Sequence, residues 1–301
     1  MKVSIILPVY NGESTLTQTL DSLAAQTYTD SELIACIDGT YDKSSEIIKS
    51  YSDQFNSLKI IQNEKNRGLG ATMNRLVYNA SGEYIAIAEQ DDFYYPDRIE
   101  KQVQVLNDKQ EVGIVSGIAE FWNGKHVNFK FPGILVSGKS YPQGEELFLL
   151  NYRKGVKVVN SCMMFRKQMH VDNGLYFTQH YPSLGVDWTY ILRASLVTQV
   201  YGIKEVLVKL DRRPERGSLT TKKDKMFKAS RELVRSMKYE FDNLITKQDY
   251  KYARSTLHLM DLGTKKLFVF PFKFIQYYYQ NTTDRRWYLY LQRRTKQYFK
   301  K

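Results

Sequence analysis

The first 118 residues alternate short β-branched runs with stretches of helical period, and this alternation leaves few folds open. Val3 to Tyr10 predicts a strand, and Leu16, Leu20 and Leu23 then fall at i, i+4 and i+7 on one helix face. Leu33 to Ile37 predicts a second strand, followed by Ile47, Ile48, Tyr51 and Phe55 at helical spacing. Leu58 to Ile61 and Tyr84 to Ala88 predict a third and a fourth. Between them Leu69, Met73, Leu76, Val77 and Ala80 share a helix face. Pro96 stands near the start of a further helix carrying Ile99, Val103 and Leu106, and Val112 to Ile118 reads as a fifth strand. Strands and helices in this rhythm imply an α/β fold with right-handed crossovers and a mostly parallel, Rossmann-like sheet covered on both faces.

Beyond residue 120 the rhythm loosens. Val158 to Phe165 and Val206 to Leu210 read as strands, with a helix from Trp188 to Leu196 between them, and Lys222 to about Ile245 reads as helical. The 301 residues are 43% apolar and 25% charged, which excludes a disordered tail, a collagen and a disulfide scaffold. The two cysteines, Cys36 and Cys162, lie inside apolar runs, which fits a reducing compartment. The opening apolar run is too short for a signal core. No window approaches the ~20 apolar residues of a spanning helix. A soluble or peripheral protein is expected.

In open α/β sheets ligands bind beyond the carboxyl ends of the strands. The first strand ends in Pro8-Val9-Tyr10-Asn11-Gly12, the second in Asp38-Gly39-Thr40-Tyr41-Asp42, and the fourth in Glu89-Gln90-Asp91-Asp92. Packed carboxylates repel one another and need a counter-cation or a set of donors. Mg²⁺ or Mn²⁺, held by carboxylate and phosphate oxygens, meets that need and would neutralise a diphosphate leaving group. An isolated Asp-Asp could equally cap the helix near Pro96; the strand before it and two similar strand ends favour the ligand site.

In order and spacing these motifs resemble those of family 2 glycosyltransferases with the GT-A fold, over roughly residues 1–215. Val3 to Gly12 is similar to that family's first strand and turn, and Asp38-Gly39-Thr40 to its second-strand signature. Asn66-Arg67-Gly68-Leu69-Gly70 with Asn74, then Ala80 to Ile85, match its third-helix region. Gln90-Asp91-Asp92 followed by Pro96-Asp97-Arg98 matches its DxD-type motif and the next helix. The resemblance implies that Asp38 accepts a hydrogen bond from the nucleotide base, in a pocket lined by Pro8 and Tyr10. It implies that Asp91 touches the ribose or sugar and that Asp92 coordinates the metal. Arg67 either adds charge near the base or phosphates or is a solvated loop arginine.

An inverting transfer needs a carboxylate facing the anomeric carbon. Gly185-Val186-Asp187-Trp188 resembles the family's acidic pair at a helix start, which makes Asp187 the general base; an ordinary helix N-cap is the alternative. Val186 replaces the first acid of that pair, and Glu89 stands where an aspartate is common. Asp211 to Ser218 lacks the histidine often found in the matching region, leaving His170 and His180 as the nearest imidazoles. Trp122, Phe165, Tyr176, Phe177, Tyr181 and Trp188 are either core rings or stacking surfaces for a sugar. Of these, Trp188 is the acceptor-binding candidate.

The net charge of +12 is uneven. From Lys222 onward there are 20 Lys/Arg against 7 Asp/Glu, and the remainder of the chain has 24 against 25. From Lys265 the basic residues interleave with aromatics, a composition suited to an anionic bilayer surface or to a helical appendage with a solvated basic face. It lacks a recognised nucleic-acid motif, so nucleic acid is not expected as a partner. Gly68-Leu69-Gly70 lacks the third glycine of a dinucleotide fingerprint.

The expected organisation is a glycosyltransferase domain at 1–218, with a nucleotide-sugar half at 1–118 and an acceptor half at 119–218, then a helical basic extension at 219–301. Its expected partners are a nucleotide-diphosphate sugar, UDP-linked by resemblance, and a glycan or lipid-linked glycan acceptor. Surface polysaccharide, lipopolysaccharide or capsule synthesis at the inner face of the cell membrane would follow, with residues 265–301 touching anionic lipid. The alternative is a non-catalytic sugar-nucleotide or glycan-binding module.

Overall fold

The computed structural model describes all residues except 181–184, 214–222, 265–269, 283, 285 and 299–301. Tyr181 and the start of the basic aromatic stretch therefore lie outside the described residues. The contacts divide the chain into two compact units. One is Met1–Phe148 with Val156–Gly217, and the other is Leu149–Gly155 with Ser218–Lys301.

The first unit begins with β1 (Val3–Val9), α1 (Leu16–Ala24), β2 (Ser31–Asp38), α2 (Ser44–Lys49), β3 (Leu58–Asn63), α3 (Leu69–Asn79) and β4 (Tyr84–Ile87). It continues with β5 (Asp92–Tyr94), α4 (Arg98–Asp108), β6 (Val112–Trp122), β7 (Val127–Phe131), α5 (Gly133–Val136) and the first residues of α6 (Gly144–Lys154), whose remainder from Leu149 is counted with the second unit. The last elements are β8 (Met164–Arg166), α7 (Lys167–Asp172), α8 (Val186–Ala194) and β9 (Gln199–Asp211). One sheet runs in the order β3-β2-β1-β4-β8-β6-β9-β5, with β7 added beside β6.

The β3-β2-β1-β4 half is parallel throughout, so its carboxyl ends share one edge. β1 is buried along its whole length because β2 and β4 flank it. Pro8 is tolerated in this central strand for a local reason. Ile6 accepts a bond from Ala88 on the β4 side. Pro8, two residues on, turns its nitrogen the same way, past the last β4 pair at Ile6–Ile87, so no ladder donor is lost.

The loosened second half differs from the sequence expectation. Antiparallel β8 joins β4 to β6, and β5 pairs antiparallel with β9. The strand expected over Val158 to Phe165 is instead a turn of 3₁₀ helix at Asn160–Cys162, then the three-residue β8. That turn carries Asn160 and Ser161 to the end of β4, as described below.

Below β8 an aromatic stack encloses His170. Its ring lies 5.3 Å from Phe165 and 5.7 Å from Tyr190, with Nδ1 3.0 Å from the Tyr190 hydroxyl. The surroundings are apolar, so His170 is a packing residue and not a metal ligand. His180, the other imidazole considered, is exposed.

In the second unit, α9 (Lys223–Glu240) buries Phe227, Leu233, Val234 and Met237 on one face. α10 (Lys247–Thr264), α11 (Phe270–Gln280) and α12 (Arg286–Tyr298) complete it. Asp284 fastens these helices: it accepts from Arg286 and Ser255, and Arg286 donates onward to Thr256 Oγ1 at 2.6 Å.

Burial pushes the His170 imidazole down to about 4, whereas an unfolded histidine titrates near ~6.5. The stability carried by the neutral ring is complete above the unfolded value and is lost as pH falls toward 4. His170→Phe should therefore flatten the decline of melting temperature between those limits. An unchanged slope would remove the imidazole as its source.

Candidate active site

The parallel half of the sheet brings the sequence-expected acids to one edge, and local hydrogen bonds fix each strand end. At the end of β2, Asp38 is buried and pairs in register with Asn63. Its Oδ1 accepts from Asn63 Nδ2 at 2.7 Å and from the Arg67 amide at 2.8 Å, and Oδ2 accepts from the Gly68 amide at 3.0 Å. Asp38 thus organises the loop before α3. An ionised carboxylate offers about four lone-pair sites, so one remains for a ligand donor. The Arg67 side chain is exposed.

Gly39 makes this arrangement possible. Its φ is +66°, and a Cβ there would stand 2.3 Å from the Asn66 nitrogen. Gly70, in the first turn of α3, is needed for close approach: its Cβ would meet the Thr178 carbonyl at 1.9 Å. Asn74 completes that contact, donating to the Phe177 carbonyl and accepting from its amide, both at 2.8 Å.

Gln90 ties the ends of β1 and β4 together. Its Oε1 accepts from the Tyr10 amide at 2.7 Å and its Nε2 donates to the Tyr10 carbonyl at 2.9 Å. The Tyr10 ring is left half exposed at this edge, while Pro8 is buried in β1.

Glu89, Asp91 and Asp92 gather so that one carboxylate oxygen from each lies within 4.8 Å of the others. They do not cap α4, whose N-cap is Asp97. Asp92 instead opens β5, is only 2% exposed, and accepts the Thr19 hydroxyl on its backbone carbonyl at 2.8 Å. Burial first, and then the charge of Glu89, push its carboxyl up to about 8; the Ser161 hydroxyl and the Arg212 charge oppose that rise. Glu89 is held by Asn160 Nδ2 at 2.7 Å, and its amide donates to the Tyr94 hydroxyl at 2.6 Å.

Three hard oxygen donors at this separation fit Mg²⁺ or Mn²⁺. Glu89 and Asp91 are partly exposed and can meet a ligand as well as an ion; Asp92 closes the site from beneath. Glu89 is therefore a full member of the cluster. Asn160, Ser161 and Arg212 were not found from sequence. Their only signals were a polar pair inside an apolar run and the Asp-Arg-Arg that ends β9.

Behind the cluster lies Arg98, wholly buried. Its guanidinium donates to the Ile87 carbonyl at 2.7 Å and to Gln102 at 3.0 Å, and stands 4.6 Å from the Tyr94 ring centre. Among the described residues it makes no ion pair.

α8 brings Asp187 to the same region. Gly185, left-handed at φ 69°, occupies the cap position, so Asp187 sits inside the first turn and is not the N-cap. Its carboxylate accepts from its own amide and that of Trp188. Burial and then the charge of Glu89 push it up to about 6. Trp188 is 7% exposed. A ring so covered has little face to offer a sugar, which corrects its assignment to acceptor binding. Val186 is buried as well, in the position of the missing acid. Of the Asp211 to Ser218 segment, Asp211 binds the Arg213 side chain at 2.8 Å, and 214–218 lie outside the described residues.

The glycosyl transferase family 2 model matches residues 4–172, more than half of the chain; it takes in Asp38 and the Glu89–Asp92 cluster and ends before Asp187. The chain belongs to glycosyltransferase family 2. EpsE of Bacillus subtilis (strain 168), named as a glycosyltransferase, is 32% identical over 184 residues, covering 58% of this chain and 66% of that protein. The uncharacterized glycosyltransferase RT0329 of Rickettsia typhi is 32% identical over 210 residues, covering 69% and 63%. The matched part thus spans just under two thirds of each of these relatives.

Among solved structures, TarS 1–349 of S. aureus in complex with UDP-GlcNAc superposes with a TM-score of 0.67 at 19% identity, over 92% of this chain and 79% of that one. The mannosyltransferase PcManGT of Pyrobaculum calidifontis, in complex with GDP-Man and Mn²⁺, gives 0.55 at 14%, over 88% and 76%. At these identities the likeness establishes the family's GT-A fold.

Gly39→Ala should cost about 2 kcal/mol or more, because a side chain there meets both an unfavourable φ and the backbone of residues 65–66. Urea unfolding measures it. An unshifted midpoint would mean that the loop yields without loss.

Proposed function

We propose that the chain moves a sugar from a nucleotide-diphosphate sugar to an acceptor hydroxyl, with inversion at the anomeric carbon. The observation that carries this reading is the cluster of Glu89, Asp91 and Asp92 at the end of β4, one oxygen of each within 4.8 Å of the others, on the same sheet edge as the buried Asp38. The charge of Glu89 also reaches Asp187 of α8.

Glu89, Asp91 and Asp92 would hold Mg²⁺ or Mn²⁺, which when bound neutralises the diphosphate and makes it a better leaving group. Asp38 would take a base N–H on its remaining lone pair, beside Tyr10 and the backbone at Pro8, with Arg67 near the base or phosphates. Asp91, partly exposed, would also reach the ribose or sugar. Asp187 would take the proton from the acceptor hydroxyl as its oxygen attacks the anomeric carbon and the bond to the diphosphate breaks. A carboxylate held near 6 is ionised at neutral pH and still basic enough for that step. UDP is the nucleotide favoured by the motif resemblance and by the fold likeness to TarS, a structure with UDP-GlcNAc bound.

The acceptor in this reading is a glycan or lipid-linked glycan of a surface polysaccharide, lipopolysaccharide or capsule, met at the cytoplasmic face of the membrane. Among the described residues no helix is long and apolar enough to cross a membrane. α11 supports surface contact: Phe272, Ile275 and Tyr279 are 71%, 53% and 77% exposed, with Lys273 beside them.

Asp187 acts as a base only when ionised, so transfer should rise with pH along an acid limb centred near 6. Asp187→Asn should lose about 10²- to 10⁴-fold in turnover while keeping donor affinity. Release of nucleotide diphosphate is the readout, and near-normal turnover in the variant refutes the base.

Chelation should abolish both donor binding and transfer, and added Mn²⁺ should restore them. Asp92→Ala should keep the protein from responding to Mn²⁺. Donor binding that calorimetry finds equal with and without chelator would remove the metal from the scheme.

A further inference from the structure

The second unit carries the chain's net positive charge, and part of that charge converges. α9, α10 and α11 wall a cavity of about 320 Å³. Arg231 reaches it from α9, Arg254, His258 and Asp261 from α10, and Lys273 and Tyr277 from α11. Arg254 and His258 are four residues apart and Asp261 three further on, so one face of α10 presents all three.

Among the described residues that line it, three permanent cations therefore face one carboxylate. Arg231 Nη1 stands 3.8 Å from Asp261 Oδ2, too far for a direct hydrogen bond. Neither Arg254 nor Lys273 makes an ion pair among the described residues. Arg254 lies 5.6 Å from the Tyr250 ring centre, and Lys273 Nζ donates to Gln276 Oε1 at 3.2 Å. His258 senses the excess: burial, then the charges of Arg254 and Arg231, hold its imidazole below the ordinary value, and Asp261 acts the other way.

A hydrogen-bond network lies under these groups. The Tyr277 hydroxyl lies 2.9 Å from Ser255 Oγ and 3.2 Å from Asp284 Oδ2, and Arg286 pins Asp284 in turn. A carboxylate ligand would need one cation. Two guanidinium forks and an ammonium around a small cavity match the several oxygens and higher charge of a phosphoryl group. A nucleic-acid strand would need a long groove with stacking platforms, which a pocket of about 320 Å³ does not supply.

We propose that this cavity binds the phosphate or diphosphate group of a phosphorylated ligand. All of its walls belong to the second unit, so the site stands independently of the transferase reading.

The full chain is titrated with inorganic pyrophosphate in the presence of chelator, which excludes metal-assisted binding at residues 89–92. Saturable binding that weakens with added salt is expected. Arg254→Gln combined with Lys273→Gln, both exposed side chains, should weaken it roughly tenfold or more, and Asp91→Asn should leave it unchanged. The same proteins are then tested on phosphatidylglycerol vesicles against phosphatidylcholine vesicles. Pyrophosphate binding lost in the double variant supports a soluble phosphoryl ligand. Vesicle binding alone lost in that variant supports the phosphate of a lipid headgroup. If neither responds to the double variant, or if only Asp91→Asn matters, the proposal is overturned.

Discussion

Negative charge packed tighter than water would allow is what the first unit is organised around. Glu89, Asp91 and Asp92 share a space in which one oxygen of each lies within 4.8 Å of the others. Burial, and then the charge of Glu89, raise the proton affinity of both Asp92 and Asp187. A divalent ion held there, as proposed, would bind with release of those protons. The surrounding structure keeps the carboxylates from moving apart: Asn160 on Glu89, Ser161 on Asp92, and Gln90 locking the adjoining backbone to Tyr10.

Arg98 explains why the backbone beneath this crowding does not yield. A guanidinium removed from water needs partners for its donors, and here Nε and Nη2 find them in Gln102 and main-chain carbonyls rather than in a carboxylate, while Nη1 has no hydrogen bond among the described residues. The carbonyl it grips belongs to Ile87, two residues before Glu89. The cation supports the strand end without neutralising any of the acids.

Much of the nucleotide-binding half was legible because its signals are local. Hydrophobic period marked four parallel strands and their helices, and turn residues or acids marked three strand ends. What was not legible depends on partners distant in sequence. β5 and β7 are short strands that exist only through pairing with β9 and β6. The segment at 158–165 has a strand-like composition, yet breaks into a turn because Asn160 and Ser161 serve acids some 70 residues earlier. Trp188 read as a possible sugar platform, since exposure of a ring cannot be inferred from its helix face alone. For Asp187 the sequence left a helix cap open, and the left-handed Gly185 closes that alternative.

The contact at the start of α3 couples two parts of the site mechanically. Gly70 lets the helix press against the Thr178 carbonyl, and Asn74 grips Phe177 from both sides of its peptide. Asp38 steers the loop entering that helix, and the chain after Thr178 runs on to Asp187 within ten residues. A displacement of the loop that Asp38 holds reaches Phe177 and Thr178 through the start of α3. If Asp38 meets the nucleotide base as proposed, filling that position would bear on a segment more than 100 residues further along the chain through one side-chain amide.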